Sequence, residues 1–228
     1  MRAPCILFDL DGTIIDSIGL IIDSYRHTAA THGLPARSEA EWVRGLGTPL
    51  RSQFAGMVES PEQMDALIET YREYNLAHHD ARVTAYPGTI EVIRALKRAG
   101  HQLGLVTSKL RHGAMRDLTL VGLEDAFDVL VCCDEVVNPK PHPEPVIKAM
   151  ALLGTEPEQT FFVGDSPHDI NAGRGAGVRT VAVLWGPFTR DELKPSEPDY
   201  WLERPAQLLE LVSGPTPAAS SPAPPPPG

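Results

Sequence analysis

The amino-acid sequence predicts an α/β fold: a parallel sheet core with helices on both faces, and an inserted all-helical cap domain. Short apolar runs alternate with helical patterns over most of the 228 residues, which is typical of βαβ units. The interval 16–82 breaks this alternation and shows only helical periodicity. A chain of this length suits one core with a subordinate insert better than two independent domains of roughly 100–200 residues each.

Six short apolar runs are predicted to be the strands of the core. The first lies at 4–9, before the insert, and the others follow at 100–108, 127–134, 160–165, 178–185 and 199–203. Helical patterns accompany them at 89–99, 110–121, 143–153, 168–176 and 205–212. Gly100 directly follows the first of these helical patterns, and glycine commonly ends a helix. We therefore assign residues 1–15 and 83–212 to one α/β core.

The insert is predicted to contain four helices, at 16–32, 39–45, 49–58 and 61–79. The last of them begins with Pro61, a residue that helix N-termini favour. No strand pattern is visible in this interval, so we assign residues 16–82 to a helical cap.

The final segment, residues 213–228, differs from the rest of the chain. It holds seven of the 22 prolines and no charged or aromatic side chain. Such a composition cannot bury enough apolar surface to offset the chain entropy lost on ordering. We predict a disordered or polyproline II tail.

Charge and apolar patterning exclude several classes of protein. The formal net charge of −10 repels a polyanion, so no nucleic-acid partner is expected. No apolar run reaches the ~20 residues of a membrane span, and the first run is too short for a signal peptide. The 3 cysteines cannot form a disulfide framework and indicate a reducing compartment. We expect a cytoplasmic protein without a membrane partner, and the sequence leaves its oligomeric state open.

The segment FDLDGT at 8–13 carries two carboxylates, Asp9 and Asp11, at the end of the first predicted strand. The two-residue period of a strand places them on one side, and open parallel sheets bind ligands outside the carboxyl ends of their strands. Crowded carboxylates repel each other unless a cation neutralises them, and hard oxygen ligands favour Mg²⁺. Gly12 and Thr13 supply a tight turn whose backbone N–H groups can face an anion.

Three further strand ends carry residues that suit a phosphoryl group and a cation. Thr107 and Ser108 end the second strand, Lys140 lies between prolines after the third, and Asp165 ends the fourth, with Asp169 one helical turn later. Each feature alone has an ordinary structural explanation, such as an N-cap or a solvated lysine. Four such features in this order, each at the end of its own strand, indicate one common site.

The segments FDLDGTIIDS, VTSK, NPKPHPEP and GDSPHDI resemble the four motifs of the haloacid dehalogenase superfamily of phosphatases, over about residues 4–212. The resemblance implies a Rossmann-like core with a C1-type helical cap. It also implies Mg²⁺-dependent hydrolysis of a small phosphorylated metabolite through an aspartyl-phosphate. The cap segments RGLGTPLRSQF and TYREYNLAHHD are similar to those of phosphoglycolate phosphatases and of a bacterial pyrophosphatase. Phosphoglycolate and pyrophosphate are therefore the leading candidate substrates.

The same resemblance implies a role for each motif residue. Asp9 would be the nucleophile, and Asp11 the general acid and then the general base. Mg²⁺ would be held by Asp9, the carbonyl oxygen of Asp11 and Asp165, with Asp169 in support. Catalytic contacts to phosphoryl oxygens would come from Thr107 and Lys140. The full set of expected substrate-binding residues is Gly12, Thr107, Ser108, Lys140, Arg44 and Arg51.

Two alternative functions stay open at this point. β-Phosphoglucomutases share the four motifs and the cap type, but in that family a histidine lies ten residues after the second motif aspartate, where this chain has Ile21. That difference favours hydrolysis over phosphotransfer between sugars. A phospho-accepting regulatory domain is less favoured, because it needs only about half this length and no cap. For His78 and His79, near the end of the last cap helix, a substrate-facing role is favoured over a second metal site.

Overall fold

A computed structural model describes residues 3–213 and contains one large parallel sheet, helices on both of its faces, and a helical insert. The strands are β1 (Cys5–Phe8), β2 (Ile15–Asp16), β3 (Thr84–Ala85), β4 (Leu103–Val106), β5 (Val129–Val131), β6 (Thr160–Gly164), β7 (Arg179–Val183) and β8 (Tyr200–Leu202). The α-helices are α1 (Ile18–Thr31), α2 (Glu39–Val43), α3 (Leu50–Gln53), α4 (Pro61–Arg82), α5 (Thr89–Arg98), α6 (Arg111–Leu120), α7 (Glu144–Leu153), α8 (Pro167–Gly175), α9 (Arg190–Leu193) and α10 (Gln207–Ser213). The fold class is the predicted one.

The large sheet has the strand order β5-β4-β1-β6-β7-β8, and all of its neighbouring strands are parallel. In the centre, Ile6 of β1 lies opposite Leu103 of β4 and Phe161 of β6. Every residue of β1 is buried, because helices cover both faces of the sheet. All six predicted strands are present in this sheet, each shorter than its apolar run, and β4 and β5 are less than half as long as the runs at 100–108 and 127–134.

Alternate residues of β1 enter two separate hydrophobic clusters. Ile6 and Phe8 pack in the cluster that includes Val92 of α5 and Leu118 of α6. Cys5 and Leu7 belong to the other cluster, which α7 and α8 complete. The two-residue period of a strand therefore distributes the core over the two faces of the sheet.

Helices α1–α4, here called the cap helices, form a third cluster around an aromatic centre. The rings of Tyr25 and Trp42 are stacked with centroids 5.1 Å apart, and Phe54 and Tyr71 contact the Tyr25 ring at 5.8 Å and 5.1 Å. Apolar residues of α8 and β7 extend this cluster into the α/β core. The cap helices are thereby packed on the core and share apolar surface with it.

The structure adds one element that the sequence does not predict. The two-residue strands β2 and β3 pair antiparallel, with Ile15 opposite Ala85 and Asp16 opposite Thr84. They lie at the two places where the chain passes between the core and the cap. The predicted boundary between residues 15 and 16 falls inside β2. Two residues are too few to show an alternating pattern, so neither strand is visible in the sequence, and Asp16 of β2 lies within the interval 16–82 where only helices are predicted.

Helix lengths in the insert also differ from the prediction. The pattern at 49–58 yields only α3, whereas the pattern at 61–79 continues to Arg82. Ser60 caps α4 by accepting a hydrogen bond from the backbone N–H of Gln63.

The predicted tail lies outside the described residues, except for Ser213 at the end of α10. None of the helices within residues 3–213 combines the length and apolarity that a bilayer crossing requires.

Candidate active site

The carboxyl ends of three neighbouring strands bring predicted site residues together at one edge of the sheet. Asp9, Thr107 and Asp165 directly follow β1, β4 and β6. The Asp9 N–H donates to the carbonyl of Val163 at 2.9 Å, and the Thr107 N–H donates to the carbonyl of Val131 at 3.0 Å. The ladder of the sheet therefore continues to these residues and sets the direction of their side chains.

Lys140 enters this edge from the loop after β5. Its Nζ lies 2.7 Å from Asp9 Oδ1 and 2.6 Å from Asp169 Oδ1, and it donates to the carbonyl of Val106 at 3.3 Å. Its side chain is 1% exposed. Burial acts to lower the pKa of Lys140, but the charges of Asp169 and Asp9 outweigh it and raise the pKa above its usual range. Lys140 is thus a permanent buried cation, and the solvated-loop alternative does not describe it.

Two carboxylates contact this cation, and a third lies beside them. One oxygen each of Asp9, Asp165 and Asp169 lies within 4.8 Å of the others, and all three residues are buried. Burial, and next the charge of Asp169, raises the pKa of Asp9 to about 7. Burial, Asp169 and Asp9 also raise the pKa of Asp165. Three carboxylates against one lysine leave a surplus of negative charge, which a hard divalent cation such as Mg²⁺ fits.

Local hydrogen bonds hold Asp165 and Asp169 in place. Thr13 Oγ1 donates to Asp165 Oδ1 at 2.8 Å. Ser166 is the N-cap of α8, and both its N–H and its Oγ donate to Asp169 Oδ2, at 3.0 Å and 2.6 Å. This capping box, with Pro167 at the first helical position, is the local reason why the sequence turns from β6 into α8.

The FDLDGT segment forms a tight turn, but its N–H groups are already used. The N–H of Gly12 donates to the carbonyl of Ile15 at 2.9 Å, and the N–H of Thr13 donates to that of Leu10 at 3.3 Å. The expectation that these two N–H groups face an anion is therefore corrected, because the turn itself engages them. Gly12 has φ +80°, and a Cβ there would lie 2.5 Å from Asp165 Oδ2, so close packing against Asp165 requires glycine.

Asp11 has different partners from Asp9. Its Oδ1 accepts a short hydrogen bond from Ser17 Oγ and lies 2.8 Å from Lys109 Nζ. β1 ends at Phe8, so the strand period that predicts both carboxylates on one side no longer applies at Asp11. The side chain of Asp11 accordingly lies outside the three-carboxylate cluster, beside a second lysine.

A loop of the cap helices contacts the same edge of the sheet. Ser108 Oγ donates to the carbonyl of Gly47 at 2.5 Å. Gly47 has φ +90°, and a Cβ there would lie 2.8 Å from Ser166 Oγ. Only glycine combines this backbone conformation with so close an approach. The loop between α2 and α3 therefore lies against residues that flank the carboxylate cluster.

The two arginines expected to bind substrate are placed on the cap surface. The guanidinium of Arg51 pairs with Asp65 of α4, and its side chain is 61% exposed. Arg44 is exposed as well, close enough for its charge to act on Glu41 and Glu192. The structure does not bring Arg51 to the carboxylate cluster, because α3 presents it to a nearer carboxylate on α4.

His78 and His79 point in different directions from α4. The exposed His78 ring packs on Tyr74, with centroids 4.3 Å apart. His79 is buried, with Nε2 2.5 Å from Asp117 Oδ1 and Nδ1 2.7 Å from Asp80 Oδ1. The expectation of a substrate-facing role for these histidines is not what the structure shows, because core helix α6 supplies the partner of His79.

Sequence reasoning overlooked Lys109 and Asp117. Lys109 is the last residue of the VTSK motif, and its Nζ contacts both Asp11 and Asp117. A signal was present for Asp117: it is an acidic residue among Ala114 and Leu118, which are core positions of α6. An acid at such a position needs a charged partner.

Comparisons with known proteins agree with this geometry. The family model for haloacid dehalogenase-like hydrolases matches residues 6–183. The chain is 43% identical to the pyrophosphatase PpaX of Anoxybacillus flavithermus over 213 residues, covering 93% of this chain and 98% of the relative. It is 41% identical to PpaX of Halalkalibacterium halodurans, with the same coverage of both chains.

Solved structures show the same fold. A predicted phosphoglycolate phosphatase from Haemophilus somnus superposes with a TM-score of 0.82 and 26% identity, covering 93% of this chain and 99% of that one. A haloacid dehalogenase-like hydrolase from Streptococcus pneumoniae superposes with a TM-score of 0.77 and 27% identity, covering 91% and 97%. The family model, these relatives and the strand-end residues lead to one conclusion: the chain belongs to the haloacid dehalogenase-like hydrolases and is a phosphatase.

Proposed function

We propose that this phosphatase hydrolyses pyrophosphate in a Mg²⁺-dependent reaction, with a phosphoglycolate-like monoester as the second candidate substrate. The observation that carries the proposal is the buried cluster of Asp9, Asp165 and Asp169 around Lys140. Pyrophosphate is placed first because the PpaX relatives match along nearly their whole length. The phosphoglycolate alternative rests on a structural relative of lower sequence identity.

The surplus negative charge of the cluster supports a Mg²⁺ site at these carboxylates. Mg²⁺ would be held by the carboxylates of Asp9 and Asp165 and by the carbonyl oxygen of Asp11, with Asp169 in support. When bound, it supplies positive charge that offsets the charge of the phosphoryl group. Lys140 adds a fixed cation next to Asp9, so the nucleophile and an anionic substrate are tolerated together.

In the proposed reaction, Asp9 is the nucleophile and Asp11 transfers the protons. A carboxylate oxygen of Asp9 attacks phosphorus, and the bond from phosphorus to the leaving oxygen breaks as Asp11 gives that oxygen a proton. Water next attacks the phosphorus of the aspartyl-phosphate while Asp11 takes the proton of the water. The P–O bond to Asp9 breaks, which releases phosphate and restores both carboxyl groups. Thr107 and Lys140 would hold the phosphoryl oxygens through both steps.

The first cap helix supports hydrolysis over the mutase alternative. Ile21 has no side-chain proton to exchange with Asp11, and it is buried in the apolar cluster of the cap helices. His27, the histidine of α1, stacks on Tyr74 with ring centroids 4.3 Å apart, where it cannot replace the missing group. Incubation with β-glucose 1-phosphate and catalytic glucose 1,6-bisphosphate should therefore yield free phosphate at most, and efficient formation of glucose 6-phosphate would favour the mutase.

A phosphate-release assay tests the substrate. We expect pyrophosphate with Mg²⁺ to give the highest kcat/KM in a panel that includes phosphoglycolate and other phosphorylated metabolites, and EDTA to abolish the release. A higher kcat/KM with phosphoglycolate would replace pyrophosphate as the substrate. Full activity in EDTA would contradict the metal requirement.

The nucleophile is tested by Asp9→Asn, which keeps the shape of the side chain. An amide cannot form the acyl-phosphate, so we expect turnover to fall by at least about 10⁴-fold. Asp65→Asn is the matched control, because it makes the same chemical change at an exposed carboxylate of the cap. Substantial turnover by purified Asp9→Asn protein would exclude Asp9 as the nucleophile.

A further inference from the structure

A continuous chain of titratable side chains connects the Asp11 carboxylate to the last cap helix. Lys109 Nζ lies 2.8 Å from Asp11 Oδ1 and 2.5 Å from Asp117 Oδ2. The other oxygen of Asp117 lies 2.5 Å from His79 Nε2, on α4. Asp117 and Lys109 follow β4 in the core, whereas His79 belongs to the insert. The chain therefore crosses from the core to the cap through groups that are mostly buried.

Each residue of this chain is held by contacts on both sides. Burial acts to lower the pKa of Lys109, but Asp11 and Asp117 outweigh it and raise the pKa above the usual range, so Lys109 is a permanent cation. The Asp117 side chain is 1% exposed, and each of its oxygens has one of these partners. His79 has a carboxylate oxygen at each ring nitrogen, Asp80 at Nδ1 and Asp117 at Nε2.

We propose that Lys109 is a positioning residue for the Asp11 carboxylate, and that Asp117 and His79 hold Lys109 in place. The last helix of the cap thereby takes part in orienting the acid/base group. This inference rests on the proposed function, in which Asp11 gives a proton to the leaving group.

Two partners on one oxygen fix the orientation of the Asp11 carboxyl group. Both Ser17 Oγ and Lys109 Nζ contact Oδ1. These two contacts fix the rotation of the carboxyl group. Loss of Lys109 would free the carboxyl group to rotate and would misplace Asp11 relative to the leaving oxygen.

Two aryl phosphates of similar size separate this role from a general loss of structure. Phenyl phosphate has a basic leaving group that needs a proton, whereas p-nitrophenyl phosphate has an acidic one that leaves without much help. We expect Lys109→Met to lower kcat/KM for phenyl phosphate by about tenfold more than for p-nitrophenyl phosphate, which is only part of the ~10²–10⁴-fold contribution of general acid catalysis because Asp11 itself remains. Lys109→Arg, which restores a cation, should recover part of the difference.

Two further variants test the contribution of His79 and Asp117, which connect Lys109 to the cap. His79→Gln should change the ratio of the two kcat/KM values in the same direction, by roughly threefold, since it acts through Asp117. The double variant Lys109→Met/Asp117→Asn removes the buried anion together with its cation, so it avoids the cost of an unpaired buried charge. If Lys109 only stabilised the fold, this double variant would regain the wild-type ratio, and we expect that it does not.

Lys97→Met is the matched control for these variants. Lys97 forms the same kind of pair, 2.5 Å from Asp128, but on the core surface with 38% of its side chain exposed. We expect it to leave both kcat/KM values unchanged. An unchanged ratio in Lys109→Met, with an active wild-type enzyme, would overturn the positioning role alone. Failure of the wild-type enzyme to release phosphate from either ester with Mg²⁺ would instead contradict the proposed function.

Discussion

Lys140 and Lys109 lie at the same edge of the sheet, one against Asp9 and the other against Asp11, but their surroundings differ. Lys140 is 1% exposed and shares its charge with two carboxylates, while a third completes the cluster. Lys109 is 25% exposed and contacts two carboxylates, of which Asp117 also has a histidine partner. Core elements supply every member of the first group, whereas the second includes a residue of the cap.

We infer from these surroundings that the two lysine groups have different roles in one site. The Lys140 group has more carboxylates than cations, and burial, followed by the charge of Asp169, raises the pKa of Asp9 to about 7. Such a group is suited to accept a divalent cation and an anionic substrate in turn. In the Lys109 group, each oxygen of Asp117 has one partner, Lys109 or His79, and Asp11 Oδ1 has two, Lys109 and Ser17. It is suited to hold one geometry throughout the reaction.

The largest expected effect that tests this difference comes from Lys140. Lys140→Ala removes the cation that offsets Asp9 and the phosphoryl group, and a well-placed electrostatic contact in a closed site contributes ~3–4 kcal/mol. We expect kcat/KM for pyrophosphate to fall about 10²–10³-fold, more than in Lys109→Met. Lys97→Ala on the core surface serves as the control. A loss smaller than tenfold would place Lys140 among ordinary structural lysines and remove the contrast between the two groups.

A second prediction concerns stability, pH and the cation. The pKa of Asp9 is raised from 3.8 to about 7, mainly by burial, so without a metal its contribution to the free energy of unfolding decreases as pH rises through this interval. Mg²⁺ binds the ionised carboxylates and opposes that decrease. We expect the Tm difference between Mg²⁺ and EDTA samples to grow from pH 5 to pH 8, reaching about 5–10 °C at a saturating Mg²⁺ concentration.

Matched variants assign that stability effect to one of the two lysine groups. Asp165→Asn removes a carboxylate of the Lys140 group and should shrink the Tm difference at pH 8. Asp117→Asn makes the same change in the Lys109 group, and the Tm difference should remain even though both curves shift to lower temperature. A Tm difference that is independent of pH in the wild-type protein would contradict the proposed cation site.

The smallest expected effect belongs to a cation outside both groups. Arg51 pairs with Asp65 on the exposed surface of the cap, and such pairs contribute about 0–1 kcal/mol. Arg51→Ala should therefore change kcat/KM for pyrophosphate by less than about twofold and leave Tm nearly unchanged. A KM increase of tenfold or more would show that Arg51 reaches the substrate, as its place in the sequence predicts.

The sequence by itself was sufficient for the α/β architecture and for the Lys140 group. Buried parallel strands are continuous apolar runs, and the polar residue that ends each run stands out locally. Because all parallel strands end at the same edge, local patterns imply that Asp9, Thr107 and Asp165 are neighbours. The four motifs contribute Lys140 and Asp169 to the same edge. These predictions need only short-range patterns and one rule of sheet geometry.

The tertiary structure alone decided the Lys109 group, the β2–β3 pair and the orientation of the cap arginines. His79 and Asp117 lie 38 positions apart, and they meet because the end of α4 packs beside α6. No local period encodes that packing, since a helix pattern gives the apolar face but not the neighbour that covers it. In the same way, Arg51 is engaged by Asp65 because α3 and α4 are adjacent in space. The partner of a charged side chain is the opposite charge that lies nearest to it in the folded chain. The distance between the two charges depends on how the helices pack, and the sequence does not give that distance.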